Sequence, residues 1–94
     1  MLFSIHALDK PDVAAKRQAF HRDHVAHMNS AKDFGVTMVV GGPLIADDGT
    51  ASIGNLFVIE APDRATVETF NAADPLHKNG VWEKIEIRRF DRKK

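Results

Sequence analysis

The chain has 94 residues, no cysteine, 44% apolar and 28% charged residues, and 13 lysines plus arginines against 13 aspartates plus glutamates. One small domain of this size buries only roughly 60 to 65% of the surface its unfolded form exposes, so association with a second copy would help it. The composition excludes a disordered tail or a membrane span, the balanced charge offers nothing to nucleic acid or an anionic membrane, and the missing thiols exclude disulfides and cysteine-bound metals.

Residues 2 to 8 alternate, with Phe3, Ile5 and Ala7 on a clean apolar side and Leu2, Ser4, His6 and Leu8 on a mixed one. Period two predicts a strand. The opening MLFSIHALDK has no basic region before its apolar residues and meets a charge already at Asp9. It therefore does not read as a signal peptide, and a cytoplasmic protein is expected.

Pro11 and Asp12 make a helix start, and the alanine-rich run that follows reaches Gly35, a C-terminal cap. A first helix is predicted at about 12 to 34, with a possible break near His21. VTMVVG (36–41) reads as a short β-branched strand ended by Gly41-Gly42-Pro43. After the Asp48-Gly49 turn, Ile53 to Ala61 reads as another strand. It carries Leu56 and Val58 on one side and Phe57 and Ile59 on the other, so both faces want cover.

Asp63 is the N-cap candidate for a second helix at about 63 to 73, with Val67 and Phe70 on one face. Pro75 disfavours a helical Asp74 and breaks it. VWEKIEIRRF then resumes alternation, and the basic RRFDRKK is read as a solvated C-terminus. The order β-α-β-β-α-β predicts an α+β, ferredoxin-like domain over residues 1–94: four antiparallel strands with both helices on one face. The open sheet face, partly apolar, is the expected homodimer surface.

Three of the five histidines fall at intervals of three in HRDHVAH (21–27). On a helix, Phe20, His24 and Ala31 share a stripe, with Met28 and Phe34 at its edges and His24 near the middle. His21 and His27 lie about 60° to either side of His24 and about 9 Å apart along the axis, so the three do not converge on one ion. No metal site is predicted, since neither an HExxH nor an EF-hand pattern is present.

Two readings of His24 stand: a core-edge imidazole satisfied by a backbone carbonyl, or a general base or acid oriented by a carboxylate. Asp74 is the candidate partner, because it ends the helix that runs beside the first; its alternative is an ordinary Asp-Pro helix stop. His21 and His77 read as surface residues, His27 as partly buried, and His6 as part of the mixed strand face. Trp82 reads as packing, and Gly41-Gly42-Pro43 as a strand-ending turn whose backbone approaches a cleft.

Several segments in order carry a family likeness: MLFSIHALDK with its Lys-Pro-Asp, Arg17 ahead of His24-Val25, Gly35, GGPL at 41–44, Gly49, Gly54, and Ala73-Asp74-Pro75 followed by Gly80-Val81. Over nearly its whole length the chain resembles the YciI-like (YCII-related) family of the dimeric α/β-barrel superfamily. The resemblance implies a ferredoxin-like monomer whose open sheet packs on a partner's, and a cleft with a His-Asp dyad proposed as catalytic, matched here by His24 and Asp74. It also links the chain to breakdown of hydroxylated, sometimes chlorinated, aromatics.

The chain departs from that pattern twice. Where the family often has an arginine three residues before the histidine, it has His21, with Arg22 one place on and about 100° away on a helix. Where a serine commonly follows Gly54, it has Asn55. The expectation is a homodimeric, cofactor-independent enzyme in which His24 moves a proton on a small aromatic or enol-like substrate and Asp74 orients the imidazole. A non-catalytic binding module and a buried pair that merely stabilises a dimer are the alternatives.

Overall fold

In the strand β1 (Leu2–Asp9), Phe3, Ile5 and Ala7 are buried while Leu2, Ser4 and His6 are half-exposed, as the alternation requires. The computed structural model describes residues 1–93. β1 lies between β3 (Ser52–Glu60) and β4 (Trp82–Phe90), antiparallel to both, and β2 (Thr37–Ile45) completes the sheet in the order β2-β3-β1-β4. This is the ferredoxin-like arrangement that the order of elements predicts.

The helical half of the first crossover is more broken than expected. Asp12 adopts a φ of 60° in a turn rather than capping a helix. α1 (Ala14–Ala19) starts two residues later, and Phe20 (φ −103°, ψ 7°) separates it from α2 (His21–Asn29). A 3₁₀ turn (Ala31–Phe34) ends at Gly35 in the left-handed region (φ 78°), where glycine carries no Cβ penalty.

β2 also differs from expectation. It does not stop at Gly41-Gly42-Pro43 but runs through them to Ile45, with Pro43 paired to Asn55. An edge strand tolerates proline because one side of its backbone has no ladder partner to lose.

α3 (Arg64–Ala72) is capped by Asp63, whose Oδ1 accepts from the Thr66 N–H at 2.8 Å. That bond holds the Asp63 carboxyl below its ordinary value. Asp74 does stop this helix, yet it also starts a short one, α4 (Pro75–Lys78), with Pro75 at the first position where its missing N–H costs nothing.

The core lies between the sheet and the helices, with Phe3, Ile5, Phe57 and Ile59 from the strands meeting Val67, Phe70 and Leu76. Each such side chain contributes about 1.5–3 kcal/mol by leaving water. The other sheet face keeps Val40 at 61% and Leu56 at 41% exposure. Residues 88 to 93 are exposed, while Lys94, the last residue of the basic run, lies outside the described residues. Among the described residues no helix is long and apolar enough to cross a membrane.

Candidate active site

Arg17, His21, His24 and Met28 follow one another at spacings of four, three and four, so α1 and α2 present one continuous face despite the break at Phe20. That face stands over β2 and β3 and encloses a cavity of about 500 Å³. Opposite it, Gly41 has no room for a side chain: a Cβ would fall 2.6 Å from Phe57 Cδ1. Its bareness lets the Phe57 ring sit 5.7 Å from the His24 ring.

His24 is 6% exposed and meets Asp74, which is fully buried. Nδ1 lies 2.8 Å from Oδ2 and 3.0 Å from Oδ1. Oδ1 also accepts the Leu76 N–H at 2.8 Å, so Asp74 caps α4 and holds the imidazole at once. A carboxylate only accepts, so Nδ1 donates and the neutral ring keeps its lone pair on Nε2. Among the described residues no hydrogen bond reaches Nε2, and no buried side-chain nitrogen or oxygen is without a partner. Nε2 is therefore the atom the ring offers to the cavity.

A second cluster shares the wall. Arg17 grips Asp9 through Nε (2.7 Å) and Nη2 (2.8 Å), the two-point geometry that suits guanidinium to carboxylate. Nη2 also donates to Asn55 Oδ1 at 2.6 Å, and Trp82 Nε1 donates to the same oxygen at 3.1 Å. Arg17 and Asp9 are only 11% and 7% exposed, so the pair is screened little by solvent and the two charges cancel locally.

The remaining histidines separate. His27 is buried, with Nε2 2.8 Å from the Phe70 carbonyl and its ring stacked 4.6 Å from that of Phe70. His21 is exposed at the cavity wall, Arg22 does not line that cavity, and His77 is exposed. His6 stands on the open sheet face, 4.0 Å from Glu86 Oε1. His21 and His24 thus share the cavity wall, whereas His27 is turned into the core against Phe70.

The sequence reading placed His24 and Asp74 at this spot but did not assemble the Asp9–Arg17–Asn55–Trp82 cluster. One signal was available: Asp9 continues the inward register of Phe3, Ile5 and Ala7, and a charge on the inward side needs a buried partner. Trp82 does pack, 5% exposed, while also donating its N–H.

The YCII-related domain matches residues 1–91. The proteins named YciI of Escherichia coli O6:H1 and of Shigella flexneri are each 30% identical over 95 residues, covering 96% of this chain and 96% of theirs. Among solved structures, the 5-chloro-2-hydroxyhydroquinone dehydrochlorinase (TftG) of Burkholderia phenoliruptrix AC1100, in complex with 2,5-dihydroxybenzoquinone, superposes with a TM-score of 0.87 at 28% identity, covering 97% of this chain and 94% of that one. With a family match over residues 1–91 and relatives aligned over 96% of both chains, the chain belongs to the YCII-related family.

Proposed function

We propose that the protein is a small enzyme of proton-transfer or elimination type, acting on a hydroxylated ring or enol. His24 Nε2 takes a proton from an O–H or C–H of the substrate. The electron pair left behind forms an enolate or carbonyl, or expels a leaving group as its anion, and the imidazolium later gives its proton to product or water. Asp74 keeps the proton of the resting ring on Nδ1 and stabilises the cation formed on Nε2 protonation.

The observation that carries this reading is the ring's division of labour: Nδ1 is held by a buried carboxylate at 2.8 Å while Nε2 is left to the cavity. The likeness to a dehydrochlorinase of a hydroxylated aromatic supports the substrate class. The test is chloride release from chlorinated hydroxyhydroquinones, together with proton exchange into deuterated water. Both should appear with the unmodified protein and vanish in His24→Ala; full turnover in that variant refutes the assignment.

A purely structural role for the pair is favoured by one fact, that Asp74 also caps α4. The two roles separate in their readouts, since loss of a cap lowers stability and loss of a base lowers rate.

The working unit of this reading is a homodimer joined through the open sheet face. Val40 and Leu56 are 61% and 41% exposed there, and a monomer has nothing to put over them. Val40→Glu places a charge in that contact and is expected to halve the mass measured by light scattering. A wild-type protein that is monomeric at micromolar concentration rejects the dimer.

A further inference from the structure

We propose that Asn55 is the donor that fixes an anionic oxygen of the ligand in this cavity. The inference rests on the cavity being the substrate site and adds to it the group that sets ligand orientation.

Both partners of Asn55 Oδ1 can only donate: Arg17 Nη2 at 2.6 Å and Trp82 Nε1 at 3.1 Å. The amide orientation follows without ambiguity, because a flipped amide would set N–H against N–H twice. Nδ2 must then point away from this clamp. Asn55 is 2% exposed and lines the cavity. Among the described residues Nδ2 makes no hydrogen bond, yet no buried side-chain nitrogen or oxygen is left without a partner there. The little surface Asn55 retains therefore includes Nδ2, and the cavity is what reaches it.

Arg17 is a less suitable anion receptor than its charge suggests. Nε and Nη2 are spent on Asp9 and Asn55, and the Asp9 carboxylate cancels the guanidinium charge at short range. Arg17 acts instead as a positioning residue that locks the asparagine.

The buried part of the wall thus offers two complementary polar atoms, an acceptor, His24 Nε2, and a donor, Asn55 Nδ2, while the other polar lining residues include the exposed His21. Phe57, two residues along β3 from Asn55, lines the same wall with its ring 5.7 Å from that of His24, and Trp82, edge-on to His24 at 6.5 Å, packs behind Asn55 through its N–H. A matching ligand is planar and carries two oxygens: one whose proton His24 handles, and one that is or becomes anionic and accepts from Asn55. A fixed donor aimed at developing charge is worth more from a buried, preorganised side chain than from water.

The probe is 2,5-dihydroxybenzoquinone, a coloured acid that is ionised at neutral pH. Its affinity is measured by calorimetry and absorbance for the unmodified protein, Asn55→Ala and Asn55→Asp. The aspartate keeps an oxygen for Arg17 and Trp82, so the clamp survives while the donor is gone. Both variants should bind at least about tenfold more weakly, as expected for one hydrogen bond to a charged group. In the unmodified protein the Asn55 side-chain amide protons should shift downfield on addition of probe.

Binding within twofold of wild type in both variants overturns the proposal. So does an Asn55 amide resonance indifferent to saturating probe, or a wild-type protein that does not bind it at millimolar concentration. Asn55-dependent binding in a protein that never turns over would uphold the proposal while refuting the catalytic reading. Turnover that needs His24 but ignores Asn55 would do the reverse.

Discussion

In Asp74→Asn, turnover is expected to fall by roughly 10²- to 10⁴-fold, close to the loss in His24→Ala, with the protein still folded. The asparagine retains one carbonyl oxygen, and the Leu76 N–H at 2.8 Å, which only donates, claims it. The amide NH₂ then faces His24 Nδ1, where the carboxylate stood at 2.8 Å. A donor there forces the ring to accept, so the proton moves to Nε2 and the base facing the cavity is gone. Nitrogen-15 shifts of the imidazole report the tautomer directly, protonated at Nδ1 in the unmodified protein and at Nε2 in the variant. A switched tautomer with unchanged turnover would remove His24 from the mechanism. A markedly lowered melting temperature with an unswitched ring would instead make Asp74 a structural cap.

Legibility of the fold and site in the sequence followed the range of the interaction. Strand alternation, the glycine at 35 and the Asp63 cap are set within a few residues of chain, and each is found where the pattern points. Pro43 misled because being on an edge is a property of the sheet: β2 runs on through Gly41-Gly42-Pro43 since only one of its sides is paired. The start of α1 slipped because Asp12 takes a φ of 60° in a turn, a conformation aspartate tolerates better than most residues.

In the site, His24 and Asp74 were legible because helix periodicity isolates one residue and the Asp-Pro break isolates the other. The contacts that clamp Asn55 were not. They join residues 38 and 27 positions apart, and no local pattern marks a neutral amide as the meeting point of an arginine and a tryptophan. Even the Arg17–Asp9 pair, only eight residues apart, depends on how the chain turns between β1 and α1. Charges inside an apolar register remain the most useful local clue to such clusters.

Gly54→Ala is expected to destabilise the protein by about 3 kcal/mol, the upper end for overpacking in a core. A Cβ at this position would lie 2.2 Å from the Ala7 carbonyl oxygen and 3.2 Å from Leu44 Cδ1. The obstacle is backbone in the central pair of strands, so no rotamer change clears it. β1 and β3 must instead part where Leu8 faces Gly54 and Ala7 faces Asn55. At about 4–8 °C per kcal/mol for a domain of this size, the melting temperature should drop by well over 10 °C. The control is Gly42→Ala, whose Cβ meets nothing within 4 Å and which should stay within about 0.5 kcal/mol of wild type. Both are compared at one protein concentration, since any self-association makes the melting temperature depend on it. Equal stability of the two variants would mean that β1 and β3 do not approach so closely at Gly54. The same parting would move Asn55, the next residue, off Arg17 and Trp82. Any Gly54→Ala protein that still folds should therefore bind the dihydroxyquinone more weakly than its remaining stability alone would suggest.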